Sequence, residues 1–161
     1  MSYIIGFDPG LDGAFTVLDK FGDIVDVFDM PTVEVKVGSS MKRQVAPQAI
    51  VAELRLFARD PCQAIVEKVA ARPGQGTASM FGFGRSAGIL EGVLAGLLIP
   101  YRLVTPQVWM KSLKLAQGKG ASRQRAMELF PEQADRFKRV KDDGRSDSAL
   151  IALYGYGEAL K

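Results

Sequence analysis

Histidine is absent from the 161 residues, cysteine occurs once, at Cys62, and tryptophan once, at Trp109. Without histidine there is no Ser-His-Asp triad, no Cys-His pair and no imidazole-ligated metal. A single cysteine permits neither an internal disulfide nor a thiolate zinc cage, and it fits a reducing cytoplasm. Acid–base or metal chemistry must then use carboxylates, lysine or bound water. Long apolar runs are missing too. The longest, near Gly88 to Pro100, is interrupted by Glu91 and is too short to span a bilayer, so no membrane association is expected. The chain enters a strand pattern at once, without a basic segment and apolar core, so no signal peptide is expected.

What is present is the composition of a globular protein, 47% hydrophobic and 24% charged, which excludes disordered and fibrous classes. The length suits one domain spanning residues 1–161. The net charge of +3 is unevenly spread. From Thr105 to Lys141 there are nine Lys or Arg against three acids, a local charge of +6 that leaves −3 for the remainder. Lys111, Lys114, Lys119, Arg123, Arg125, Lys138, Arg139 and Lys141 lie in this block. Such a stretch is either a polyanion-binding face or a solvated basic surface.

The chain is organised around YIIGFDPGLDGAFTVL, residues 3–18. Tyr3, Ile4, Ile5 and Phe7 form an apolar run that predicts a central strand ended by Asp8. Pro9, Gly10 and Gly13 turn the chain, and Ala14 to Leu18 completes a hairpin. Taken alone, Asp8 is better explained by an Asx-type turn. Asp23 to Phe28 predicts a third, edge-like strand and hence a meander. Met30 to Gln44 reads as a flexible basic connection or ragged hairpin, and Pro47 opens a helix that runs to Asp60-Pro61.

Gln63 to Val69 predicts the next strand, with Glu67 following Ala64, Ile65 and Val66, so an acid again stands at the end of a buried strand. A loop over residues 72–76 leads into a helix from about Thr77 to Leu98, on which Gly84, Gly88, Gly92 and Gly96 recur every four residues. Glycine costs about 1 kcal/mol in a helix relative to alanine, so the stripe requires a close approach, either to the domain's own sheet or to a second copy. A strand over Tyr101 to Val104, a helix from Thr105-Pro106 to Leu115, a loop around Lys119, a helix over Ser122 to Phe130 and a last helix from Asp143 or Gly144 complete the chain. This mixed α/β order places Asp143 and Asp147 on one helix face, where two like charges are unfavourable unless something cationic lies between them. Asp8, Glu67, Asp143 and Asp147 are a donor set for hard cations such as Mg²⁺ or Mn²⁺, and two such ions suit in-line phosphoryl displacement.

GFDPGLDGA (6–14), IVEKVAARPGQG (65–76), LVTPQVWMK (103–111), ASRQRAMELFP (121–131) and KDDGRSDSALIALYG (141–155) together resemble the RuvC-type Holliday junction resolvases, nearest the phage, prophage and plant-organelle branch. The resemblance implies an RNase H-like fold, a mixed central sheet with an N-terminal antiparallel meander and flanking helices. It implies a homodimeric, divalent-metal endonuclease, with two ions per site, that resolves four-way DNA junctions by paired symmetric nicks in recombination and repair. A cytoplasmic setting, in a bacterium or in a phage host, goes with that activity. Carried over, Asp8, Glu67, Asp147 and, by the spacing of four, Asp143 are metal ligands, with Asp142 a possible substitute for Asp143. Lys119 falls where that branch carries an active-site lysine. Arg72, Gln75 and Arg145 join Lys111, Lys114, Arg123, Lys138, Arg139 and Lys141 as expected DNA contacts. Phe81 or Phe83 either wedges against unpaired bases or packs in the core. Two other functions compete: a DNA-structure binding protein that does not cut, and a phosphate-handling relative of the sugar kinase and actin fold, which needs a second domain.

Overall fold

The computed structural model describes residues 1–70, 74 and 76–161. Strands β1 (Tyr3–Asp8), β2 (Ala14–Asp19) and β3 (Ile24–Asp29) form the meander. Next come the hairpin β4 (Thr32–Val37) and β5 (Ser40–Val45), helix α1 (Pro47–Leu54), strand β6 (Cys62–Glu67), helix α2 (Thr77–Gly96) and strand β7 (Tyr101–Val104). Helices α3 (Pro106–Ser112) and α4 (Ala121–Leu129), two 3-10 turns (Pro131–Phe137 and Val140–Asp142) and helix α5 (Asp143–Ala159) end the chain. The main sheet has the order β3-β2-β1-β6-β7. β1 runs antiparallel to β2 and parallel to β6, and β6 runs parallel to β7.

β1 is central, as its lack of polar residues requires. Its side chains alternate between two layers. Ile5 and Phe7 join Ile50, Leu54, Leu90 and Leu94 under α1 and α2. Ile4 joins Trp109, Ala149 and Ala152 on the opposite side, under α5. Gly6 also faces α5. A Cβ there would lie 2.2 Å from the Ser148 carbonyl oxygen and 2.3 Å from the Ala152 nitrogen, so α5 rests directly on the backbone of β1. Gly144 makes the equivalent approach at the start of α5, where a Cβ would lie 2.4 Å from the Asp12 carbonyl oxygen.

Several boundaries differ from expectation. Residues 32–45 form a regular hairpin, paired from Thr32↔Val45 to Val37↔Ser40, in which Val33, Val35 and Val37 keep strand alternation; Gly38 takes φ +64° in the turn. α1 ends at Leu54, and Phe57 instead swings back to pack edge-on against Tyr3 at 5.3 Å. α3 stops at Ser112, before Lys114 at φ +53°. Its N-cap, Thr105, makes no side-chain capping bond, and Pro106 begins the helix.

The glycine stripe of α2 does not pack on the sheet. Among the described residues nothing lies within 4 Å of a Cβ built at Gly84, Gly88, Gly92 or Gly96, and α2 faces the core with Ser86, Ala87, Leu90 and Leu94. Among the described residues no helix is long and apolar enough to cross a membrane.

Candidate active site

β1 and β6 run in the same direction with Phe7 beside Val66, so the next residues, Asp8 and Glu67, emerge together at one end of the sheet. Both follow the alternation that puts Ile4 and Ile65 on the α5 side. The turn after Asp8 is tight: the Gly13 amide donates to the Gly10 carbonyl at 3.0 Å, and the Gly10 amide to Asp8 Oδ1 at 3.4 Å. α5 crosses above and presents Asp147. It is fixed there by the contact at Gly6 and by a buried 2.8 Å hydrogen bond between the hydroxyls of Thr16 on β2 and Ser148.

The resulting cleft, about 630 Å³, is lined by Asp8, Asp12, Asp143 and Asp147, with Ser79 and Phe83 of α2 opposite. Glu67 stands behind it, where Trp109 Nε1–H donates to Oε2 at 2.9 Å. Burial raises the Asp8 carboxyl to about 6, helped by the charges of Glu67 and Asp12 and opposed by the Gly10 amide. Burial also raises Asp147 to about 7, against a hydrogen bond from Ser122 and with the charges of Asp8 and Asp143 adding to the rise. Asp147 Oδ1 is buried and has no hydrogen-bond partner among the described residues. A carboxylate oxygen in that condition lacks a cation or a proton.

Asp143 is exposed and paired with Arg123, Oδ1 to Nε at 2.8 Å, in a geometry that makes an ion pair but not a hydrogen bond. Arg123 therefore supplies the cation that two acids on one helix face call for. Asp142 points elsewhere. It is 1% exposed and both its oxygens are held by Arg139, through the backbone amide at 2.9 Å and through Nε at 3.1 Å. Among the described residues no three acids stand close enough together, as they are, to hold one ion. The donors nonetheless fit a hard cation: all are carboxylate oxygens, two are made harder to ionise by burial and neighbouring acids, and one oxygen is unpartnered.

The other expected site residues are scattered. Lys119 is exposed on the loop between α3 and α4 and does not line the cleft. Lys111, Lys114 and Lys141 are exposed. Lys138 is ion-paired with Asp135, and Arg145 grips Asp29 of β3 through Nε and a terminal nitrogen, both at 2.6 Å. Phe81 is 73% exposed and Phe83 half-buried, so the core reading applies only to Phe83. Arg72 and Gln75 lie outside the described residues. Trp109, Ser122 and the pairing of Arg123 were not foreseen. The cue available was chemical: Trp109 is the one indole in the chain and has an N–H to satisfy once buried.

A five-stranded sheet of this order, with its antiparallel meander, parallel β6 and β7, and α5 laid across β1, is the RNase H-like fold. Among solved structures it is the fold of RuvC. T. thermophilus RuvC in complex with Holliday junction substrate is similar at a TM-score of 0.62 and 12% identity, over 99% of this chain and 96% of that one. A Thermus thermophilus RuvC structure is similar at 0.53 and 13%, over 98% and 96%. No protein-family model and no curated protein matches the sequence.

Proposed function

We propose that this chain is a divalent-metal-dependent endonuclease that resolves four-way DNA junctions by paired symmetric nicks. The observation that carries the proposal is the pair Asp8 and Asp147, held in one cleft at raised pKa with an orphaned oxygen between burial and repulsion. Asp8, Glu67, Asp143 and Asp147 are the residues that would hold Mg²⁺ or Mn²⁺. Such ions supply charge for the attacking and leaving oxygens of a phosphodiester. The chain's own parts orient the acids. Trp109 fixes one oxygen of Glu67, Ser122 donates to Asp147, and Arg123 screens Asp143. Lys119, on an exposed loop and not lining the cleft itself, is assigned electrostatic support of the scissile phosphate.

The direct test is incubation of the purified protein with Mg²⁺ and four-way, Y-shaped, duplex or single-stranded DNA of one sequence. Cutting confined to branched forms, and stopped by EDTA, is expected. A second reading, a binding protein that does not cut, draws on the absence of three preassembled acids among the described residues. It predicts junction retention without nicks in the same gel.

A junction offers two-fold related strands, so the proposal includes a homodimer. The exposed groove between α1 and α2, floored by Gly88, Gly92 and Gly96 and edged by Val51, Val93 and Leu97, is the surface assigned to it. With open space at Gly88, the Gly88→Leu chain should fold normally, as read by circular dichroism, yet sediment as a monomer where the wild type sediments as a dimer. A wild-type monomer at micromolar concentration in the presence of junction DNA contradicts the paired site.

A further inference from the structure

The two acids that α5 sends to the cleft are met by consecutive residues of α4. Ser122 donates to Asp147, and Arg123 pairs with Asp143. Arg123 stands in the first turn of α4, the positive end of the helix, where the backbone dipole opposes a cation and where this helix carries no acid to offset it. Its side chain is only 18% exposed and folds back over Gly120: a Cβ there would lie 2.7 Å from a terminal guanidinium nitrogen. Helix propensity therefore does not account for an arginine in this place. The pair it makes is also a poor one. Arg139 and Arg145, which flank Asp143 in sequence, hold Asp142 and Asp29 through two or more hydrogen bonds each. Arg123 Nε faces Asp143 Oδ1 at 2.8 Å, yet it is buried with no hydrogen-bond partner among the described residues. A buried donor left in that condition costs stability.

A carboxylate 59% exposed at the rim of an acid cleft, faced by a guanidinium that does not bond it, is a ligand easily exchanged. The guanidinium and a divalent cation carry charge of one sign, so they oppose each other at one carboxylate. We propose that Arg123 is the resident counter-ion of Asp143 and competes with the metal for it, so that the first turn of α4 sets the affinity of the outer half of the cation site. The inference rests on the metal-dependent nuclease reading of the cleft. Arg123 acts through Asp143 and is a positioning residue. The sign of its effect separates this role from simple support. Removing a competitor frees Asp143 and tightens metal binding, whereas removing a residue that merely holds Asp143 in place weakens it.

Mn²⁺ titrated into the metal-stripped full chain, followed by the electron paramagnetic resonance signal of the free ion, tests this without DNA and without turnover. Arg123→Gln should tighten Mn²⁺ binding about two- to fivefold, the span of a part-exposed ion pair. In an Asp143→Asn background the same substitution should lose most of its effect, because the two residues act as a pair. A second measurement uses the wild type and does not depend on the glutamine variant folding. The Arg123 Nε–H resonance, identified by its absence from Arg123→Lys, should exchange with water faster once Mg²⁺ saturates the protein. Unchanged or weaker Mn²⁺ binding by Arg123→Gln, equal tightening in both backgrounds, or an Nε–H whose exchange Mg²⁺ does not alter overturns the competition. Each of those failures leaves Mn²⁺ binding by the wild type intact. Failure of the metal-dependent nuclease reading appears instead as a wild type that takes up no Mn²⁺, which removes the competition with it.

Discussion

Asp147→Asn should abolish cleavage and, in the absence of metal, make the protein more stable. The two effects have one cause. The wild-type carboxyl titrates near 7 in the folded chain against an ordinary value of 3.8, so the native state holds a proton that the unfolded chain releases. Stability from this group is therefore greatest below about pH 4, falls as pH rises toward 7, and is flat above. The slope is about 1.4 kcal/mol per pH unit, which amounts to a few kcal/mol by pH 8. Asp8, raised to about 6, adds in the same direction. Asparagine keeps the shape and the Ser122 contact without the charge. In EDTA at pH 8 the variant's Tm should exceed the wild type's by roughly 5 °C or more, and at pH 4 the two should coincide. Mg²⁺ at pH 8 should raise the wild-type Tm and not the variant's. Cutting should fall by on the order of 10²- to 10³-fold or more, the cost of losing one aligned charge at the reacting centre. A variant less stable than wild type in EDTA at pH 8 would mean that Asp147 is not strained by burial.

Gly6→Ala should be among the most damaging small substitutions in the chain. The added methyl meets the Ser148 carbonyl oxygen and the Ala152 nitrogen, both backbone atoms, which cannot rotate away. α5 must lift, and overpacking of this kind costs about 1–3 kcal/mol where side chains can adjust, more where backbone is met. That corresponds to a fall in Tm of roughly 6–12 °C for about 3 kcal/mol. Asp147 precedes Ser148, so it moves with the helix. A displacement of about 1 Å is enough to reduce turnover about 10²-fold. Gly157→Ala on the same helix is the control: nothing lies within 4 Å of its Cβ. It should leave cutting unchanged and stabilise by about 1 kcal/mol.

These two glycines mark what the sequence does and does not disclose. Strand positions followed from apolar runs and turn residues, and the paired acids followed from them: Asp8 and Glu67 each end a buried run, and parallel pairing brings them side by side. The helix spacing of Asp143 and Asp147 also held. The glycines that matter for packing were not legible, because their signal is a contact between distant segments. The periodic stripe on α2 meets nothing among the described residues, whereas Gly6 and Gly144, without any period, seat α5 on the sheet. Ion pairing was hidden for the same reason. Arg123 in the basic block, and Arg145 just after it, look like free cations until Asp143 and Asp29 are placed beside them. The hairpin at residues 32–45 was legible in part: Val33, Val35 and Val37 alternate as a strand, but the basic residues opposite them obscured the partner.

In the proposed function, one carboxylate cleft per subunit cuts a junction at two-fold related positions. Its most direct measurement is a map of nick positions on both strand pairs of a symmetric four-way junction, each strand end-labelled in turn, with wild-type protein and Mg²⁺. A single nick is expected on each of two opposed strands, at the same distance from the crossover, absent in EDTA and absent with Asp8→Asn. Uncut junctions, nicks at unrelated positions on the two strands, or equal cutting by Asp8→Asn would contradict it.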